Sequence, residues 1–169
     1  MSTPEDIEAA IAILAIRDAL ARYARGIDRQ DVELAKSAYH PDATDEHGGP
    51  FHGNAHEVID RVVQILADQE FCRHQISNVS VQLNGDRANV ESYHFSLHVP
   101  KGSEVEEHVY GRYLDVFERR DGVWKIFERR VVVDFSRCPP RTDPIAAQEK
   151  FIRGRRDRQD PSYEFFGTE

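Results

Sequence analysis

The chain has 169 residues, 40% of them hydrophobic, 31% charged and 9% aromatic, with a formal net charge of −8. That length and balance describe one globular core and exclude global disorder; no run approaches the ~18 apolar residues of a membrane span, and Met1–Asp6 lacks the basic and apolar regions of a signal peptide, so a cytoplasmic protein without a membrane partner is expected. The 30 acidic against 22 basic residues argue against a nucleic-acid partner, and Cys72 and Cys138 form neither a CxxC pair nor a disulfide framework, which leaves them as structural thiols.

The first element is a helix over residues 3–27. Thr3 caps it, Pro4 suits its first turn, and Asp6 completes a short-armed capping box. Ile7, Ile11, Leu14, Ala15, Ile16, Leu20 and Tyr23 recur at three- and four-residue spacing and read as one apolar stripe, with Gly26 as the helix end. A short second helix spans Asp31–Tyr39, capped by Asp31 and stopped by His40-Pro41-Asp42. From Ala43 to Gly53 the Asp, Gly, His and Pro content predicts a short strand or two around His47-Gly48-Gly49-Pro50. Asn54 then caps a third helix whose apolar residues, Val58 to Leu66, carry it to about Glu70.

The period now changes from helical to alternating: Gln75–Leu83, Arg87–Val99, Val105–Arg119 and Val123–Phe135 predict four strands. Asn84-Gly85-Asp86, Pro100-Lys101-Gly102-Ser103 and Arg120-Asp121-Gly122 are turns, so the strands form an antiparallel meander. The fold class is α+β, three N-terminal helices packed on a curled, mainly antiparallel sheet that encloses a cavity. Residues 1–140 form this domain and 141–169 an extension, with one helix near Asp143–Ala147 and an aromatic end, Tyr163, Phe165 and Phe166, too apolar to be free.

No Gly-rich phosphate loop, HExxH, Cys/His zinc cluster or GxSxG elbow occurs, so neither a cofactor nor a metal is expected. The loop histidines His40, His47, His52 and His56 lack ligand spacing. The informative ionisable residues are Tyr23, Asp28, His74, Tyr93, His94 and Arg129.

Three strings carry a family likeness: Tyr23-Ala24-Arg25-Gly26-Ile27-Asp28 after the long first helix, Phe71-Cys72-Arg73-His74 before the first long strand, and Phe117 to Lys125 in the last hairpin. Over residues 5–135 the chain resembles the SnoaL-like family of the nuclear-transport-factor-like superfamily, whose fold is an α+β cone. In its lyases a His after the third helix is the general base and an Asp at the end of the first helix orients it; by resemblance these are His74 and Asp28. The chemistry is consistent, since an imidazole suits proton abstraction near neutral pH and a carboxylate on its other nitrogen fixes the tautomer.

Resemblance also implies that Tyr23 polarises a leaving group or carbonyl, against a plain reading as a core aromatic. Arg129 then stabilises the departing anion, with Arg130 competing for that place. Alternation puts His94, Ser96 and His98 on one face of their strand and Tyr93, Phe95 and Leu97 on the other; Tyr93, His94 and Ser96 are taken as substrate-binding. The implied function is a cofactor-independent lyase that eliminates water or formaldehyde from a small aromatic or cyclic substrate. An isomerase or cyclase on the same scaffold, and a non-catalytic binding module, remain alternatives. Valines and aromatics on both faces of the last two strands point to a homo-oligomer, a trimer by resemblance with a dimer as the alternative.

Overall fold

The computed structural model describes residues 2–143 and 151–167. The helix expected near Asp143–Ala147 lies outside the described residues beyond Asp143.

Helix α1 runs Pro4–Arg29 behind a complete capping box: the Thr3 hydroxyl accepts from the Asp6 N–H at 3.2 Å, and the Asp6 carboxylate accepts from the Thr3 N–H at 2.8 Å. It does not end at Gly26. The cap is Gln30 in the left-handed region (φ 56°), whereas Gly26 is helical and buried beneath α2, Val32–Lys36. A Cβ there would sit 2.4 Å from the Ala35 nitrogen, so glycine is required by the crossing and not by the terminus.

The apolar residues of α1 are also not one stripe. At roughly 100° per residue, Ile7, Ile11 and Leu14 lie on one side and Ile16, Leu20, Tyr23 and Ile27 on the other. The second set is buried, and the first is exposed by more than half.

After α2 the chain enters β1, Tyr39–Gly48, so His40-Pro41-Asp42 begins a strand and does not stop a helix. The parallel ladder to β6 skips from Tyr39↔Ile126 to Thr44↔Glu128, and Pro41, with no N–H to donate, sits in the skipped stretch. Then come β2 (Phe51–Asn54), α3 (Ala55–Leu66), β3 (Gln69–Asn84), β4 (Arg87–Pro100), β5 (Glu107–Arg120) and β6 (Val123–Arg137). Helix α3 is shorter than its apolar pattern suggested because β3 starts six residues early, taking Phe71–His74 into the sheet.

The six strands are ordered β2-β1-β6-β5-β4-β3, with only β1–β6 parallel; the sheet is curled but not closed, and β2 and β3 are its edges. Helices α1 and α3 bury Ile16, Leu20, Tyr23, Ile27 and Ile59 against Tyr113, Phe117, Trp124 and Ile126. Residues 151–167 return across α1 and α2. Arg156 donates to the Leu66 and Gln69 carbonyls (2.6 and 2.8 Å), and the Tyr163 hydroxyl, from α4 (Pro161–Phe166), donates to Asp31 at 2.8 Å. Phe165 and Phe166 remain exposed. Among the described residues no helix is long and apolar enough to cross a membrane.

Candidate active site

Asp28 lies in the last turn of α1, where β3 crosses it. Both its oxygens accept from the His74 backbone N–H, at 2.9 and 3.1 Å, and Oδ1 lies 2.8 Å from His74 Nδ1. Because a carboxylate only accepts, Nδ1 carries the hydrogen in the neutral ring, and Nε2 is left with its lone pair. The two residues are 46 positions apart in sequence and meet through two contacts at the His74 backbone and one at its ring, so the same carboxylate holds both strand and imidazole.

Two neighbours that sequence reasoning gave no chemical role complete this cluster. Cys72 Sγ lies 3.9 Å from Asp28 Oδ1, 3.8 Å from His74 Nδ1 and 3.5 Å from His98 Nδ1. Burial, and then the Asp28 carboxylate, push the Cys72 thiol up to about 12, so it stays protonated. His98 stands edge-on to His74 with ring centres 5.5 Å apart, and burial, then His74 and Arg156, push its pKa down to about 4.

A one-residue bulge creates this meeting. Near the turn β3 and β4 pair as Val81↔Val90 and Asn84↔Arg87; beyond Ser77 the pairing becomes His74↔Ser96 and Cys72↔His98, a slip of one residue. Asn78, with φ 47°, stands at the slip. Since side chains alternate, that slip turns His74 from the face of Leu97 to the face of His94, Ser96 and His98. The signal was present in the sequence: inward residues switch from Cys72, His74 and Ile76 to Val79, Val81 and Leu83 across Asn78.

The cluster opens into a cleft of about 1270 Å³ between α1, the first half of β3 and the C-terminal segment. Leu20, Ala24, Ile76 and Phe151 give it apolar wall, and eight Arg or Lys side chains line it against Asp28, Glu70 and Asp157.

The SnoaL-like domain profile matches residues 8–130. The chain belongs to the SnoaL-like family. Its fold is shared with solved structures of low identity. The hexachlorocyclohexane dehydrochlorinase LinA type 2 superposes with a TM-score of 0.74 at 18% identity, covering 82% of this chain and 98% of that one. The LinA type 3 enzyme of Novosphingobium barchaimii LL02 gives 0.73 at 18%, covering 88% and 99%. A scytalone dehydratase-like protein of Novosphingobium aromaticivorans DSM 12444 gives 0.70 at 19%, covering 76% and 88%. No curated protein matches the chain.

The remaining expected site residues of this SnoaL-like chain fall elsewhere. Arg129 does point inward while Arg130 points out, with a largely exposed side chain beside Glu128. Yet Arg129 is sealed: its side chain is 0% exposed, Nε and Nη2 each donate to Asp115 at 2.8 Å, and Tyr113, Tyr23 and Tyr39 place their rings 4.0, 4.4 and 5.5 Å from the guanidinium. Burial works against its charge, but Asp115 and the tyrosines outweigh it and hold the Arg129 pKa well above normal. Tyr23 is thus a core aromatic packed on that cation, its phenol raised by burial, and neither it nor Arg129 lines the cleft.

Tyr93 is on the outer face, 45% exposed, so a place in the inner site is corrected by the strand's own alternation. His94 and Ser96 are on the inner face and buried, joined Nδ1 to Oγ at 3.2 Å. His94 stacks on Tyr113 at 4.4 Å, and burial, then His74, push its pKa down to about 4. It bridges the sealed centre and the cleft-facing one.

Proposed function

We propose that the chain is a cofactor-independent lyase in which His74 removes a proton from a small aromatic or cyclic substrate held in the α1–β3 cleft. The contact that supports this most is the 2.8 Å approach of Asp28 to His74 Nδ1 at the wall of that cleft. His74 Nε2 takes a proton from a carbon next to an activating group, and the C–H electron pair becomes a carbon–carbon double bond. The bond to a leaving group such as water breaks, and that group departs with its electron pair. Asp28 keeps the ring in its productive tautomer and stabilises the imidazolium, which then returns the proton to solvent or the leaving group. The basic lining favours a substrate bearing an anionic group such as a carboxylate. With Arg129 sealed beneath Tyr23, stabilisation of the departing anion falls to the cleft cations, of which Arg156 is held in place by backbone carbonyls.

The test is a mass-detected screen of aromatic and cyclic acids with wild-type protein and His74→Ala. Loss of a small fragment in the wild type only, with turnover reduced by about 100-fold or more in the variant, is the expected result. Conversion at unchanged mass would replace the lyase by an isomerase or cyclase, and a wild-type rate in His74→Ala would remove the base altogether.

The proposed assembly is a homotrimer. Among the described residues two apolar surfaces are left exposed: Ile7, Ile11 and Leu14 on α1, and Tyr93 and Phe135 on the outer sheet face. Light scattering at micromolar concentration checks it, a monomeric mass being the contrary outcome.

A further inference from the structure

The base and two of its neighbours are themselves a set of metal donors. Cys72, His74 and His98 each offer an atom within 4.8 Å of the others. In a tetrahedral zinc site with Zn–S of about 2.3 Å and Zn–N of about 2.0–2.1 Å, the sulfur-to-nitrogen edges come to about 3.5–3.6 Å. Cys72 Sγ lies 3.5 Å from His98 Nδ1 and 3.8 Å from His74 Nδ1. Asp28 Oδ1, 2.8 Å from His74 Nδ1, is that ring's hydrogen-bond partner and stands too close to it to be a tetrahedral corner in place, so the fourth position falls to solvent. The three donors come from β3 and β4, so the packed sheet already holds them, and Cys72 and His74 line the cleft through which an ion would arrive. One thiolate and two imidazoles suit zinc, cobalt(II) or copper and not magnesium or calcium.

We infer that Cys72, His74 and His98 form an inhibitory site for a thiophilic divalent cation of the zinc class. On binding, Cys72 releases its S–H proton to solvent, and the His74 ring proton moves from Nδ1 to Nε2, so that Nδ1 gives its lone pair to the metal. The proton now on Nε2 occupies the lone pair that would abstract from substrate. Asp28 loses the Nδ1–H bond by which it orients the base. Metal and substrate chemistry are therefore mutually exclusive, and a chelator restores the base. The inhibitory consequence rests on the function proposed above, whereas the binding does not.

Cobalt(II) titration of the chelator-treated, dialysed full chain tests the site directly. The expected result is a one-to-one complex with a sulfur-to-cobalt charge-transfer band in the near ultraviolet and the intense visible bands of four-coordinate cobalt, both erased by zinc. Cys138→Ser, at the other, exposed cysteine, keeps the spectrum; Cys72→Ser abolishes the charge-transfer band, and His98→Gln weakens cobalt affinity by about tenfold or more. Circular dichroism shows which variants are folded, and His98→Gln carries the test if Cys72→Ser is not. No cobalt spectrum in the wild type, or one that survives Cys72→Ser and vanishes in Cys138→Ser, overturns the site. Cobalt binding of the expected kind with undiminished turnover would leave the ion site standing and overturn the role of His74 as base.

Discussion

Two polar centres lie against the same helix, and they differ in how their charges are satisfied. Around Arg129 the guanidinium and Asp115 share two 2.8 Å bonds, neither side chain has any exposure, and three tyrosine rings close over the cation. Around Asp28 the partners are a histidine ring, its backbone N–H and a thiol, and the group faces a cleft. A buried charge with a permanent counter-charge is committed to the fold. A carboxylate paired with an imidazole that can gain or lose a proton is free to do chemistry, which is why the functional reading belongs to the second centre although the first also holds two of the expected residues, Tyr23 and Arg129.

Removing one charge from each centre is the sharpest way to break this contrast. Arg129→Met leaves the Asp115 carboxylate buried and alone, and should destabilise the chain by about 3–5 kcal/mol in urea unfolding. Burial already raises the Asp115 pKa even with Arg129 present. The pair Arg129→Met with Asp115→Leu should recover most of that loss. Asp28→Asn keeps an oxygen for the His74 N–H and should cost about 1 kcal/mol, yet lower turnover by about 100-fold or more. A fall in stability for Asp28→Asn as large as that for Arg129→Met would erase the distinction between the centres.

Acid titrates a ring at each centre. His94, stacked on Tyr113, and His98, against Cys72, are both pushed down to about 4 from 6.5, by burial first. The unfolded chain therefore binds protons below pH 6.5 that the folded chain refuses until about pH 4. Stability is unaffected by these groups above that window and falls through it, on the order of 1 kcal/mol per pH unit for each ring. Urea unfolding between pH 7.5 and 5 should show the decline, and His94→Asn or His98→Gln should each flatten it by about half. A flat profile in the wild type would mean that both rings gain protons as readily folded as unfolded.

Gly26 is two residues, about half a turn, before Asp28, under α2. Gly26→Ala would press a methyl into the Ala35 backbone at 2.4 Å and should cost about 1–3 kcal/mol in thermal unfolding. Unchanged stability would show that α2 can move away from α1 without consequence, and that the turn presenting Asp28 is less constrained than the crossing implies.

These residues also show where sequence reasoning works and where it stops. The capping box at Thr3 and Asp6, the three hairpin turns and the strand periods depend on neighbours in sequence, and they place every strand of the meander. The Asp28–His74 pairing came from resemblance; local pattern alone makes Asp28 a turn residue. What was not legible is set by long-range geometry. Gly26 resembles a helix stop until α2 is seen to cross it. Tyr23 and Arg129 resemble site residues until three rings and Asp115 are assembled around one guanidinium. Alternation correctly grouped His94, Ser96 and His98, but which face of β3 meets them depends on one inserted residue.

That residue, Asn78, carries the smallest and most specific prediction. Its φ of 47° is a conformation asparagine tolerates and a β-branched residue resists. Asn78→Gly should be close to neutral in stability and activity. Asn78→Val should cost about 1–2 kcal/mol, because the strand must either keep the strained backbone or relax the bulge. Relaxation is the informative outcome. Without the slip, His74 pairs in the register of Val81↔Val90, and its side chain turns to the face of Leu97, away from Asp28, Ser96 and His98. Turnover in Asn78→Val should then fall further than its stability loss explains, while the His74 ring signal in NMR loses its coupling to Asp28→Asn. Activity that tracks stability alone in Asn78→Val would show that the bulge survives the strain and that the cleft-facing register is enforced by Asp28 and the helix above it.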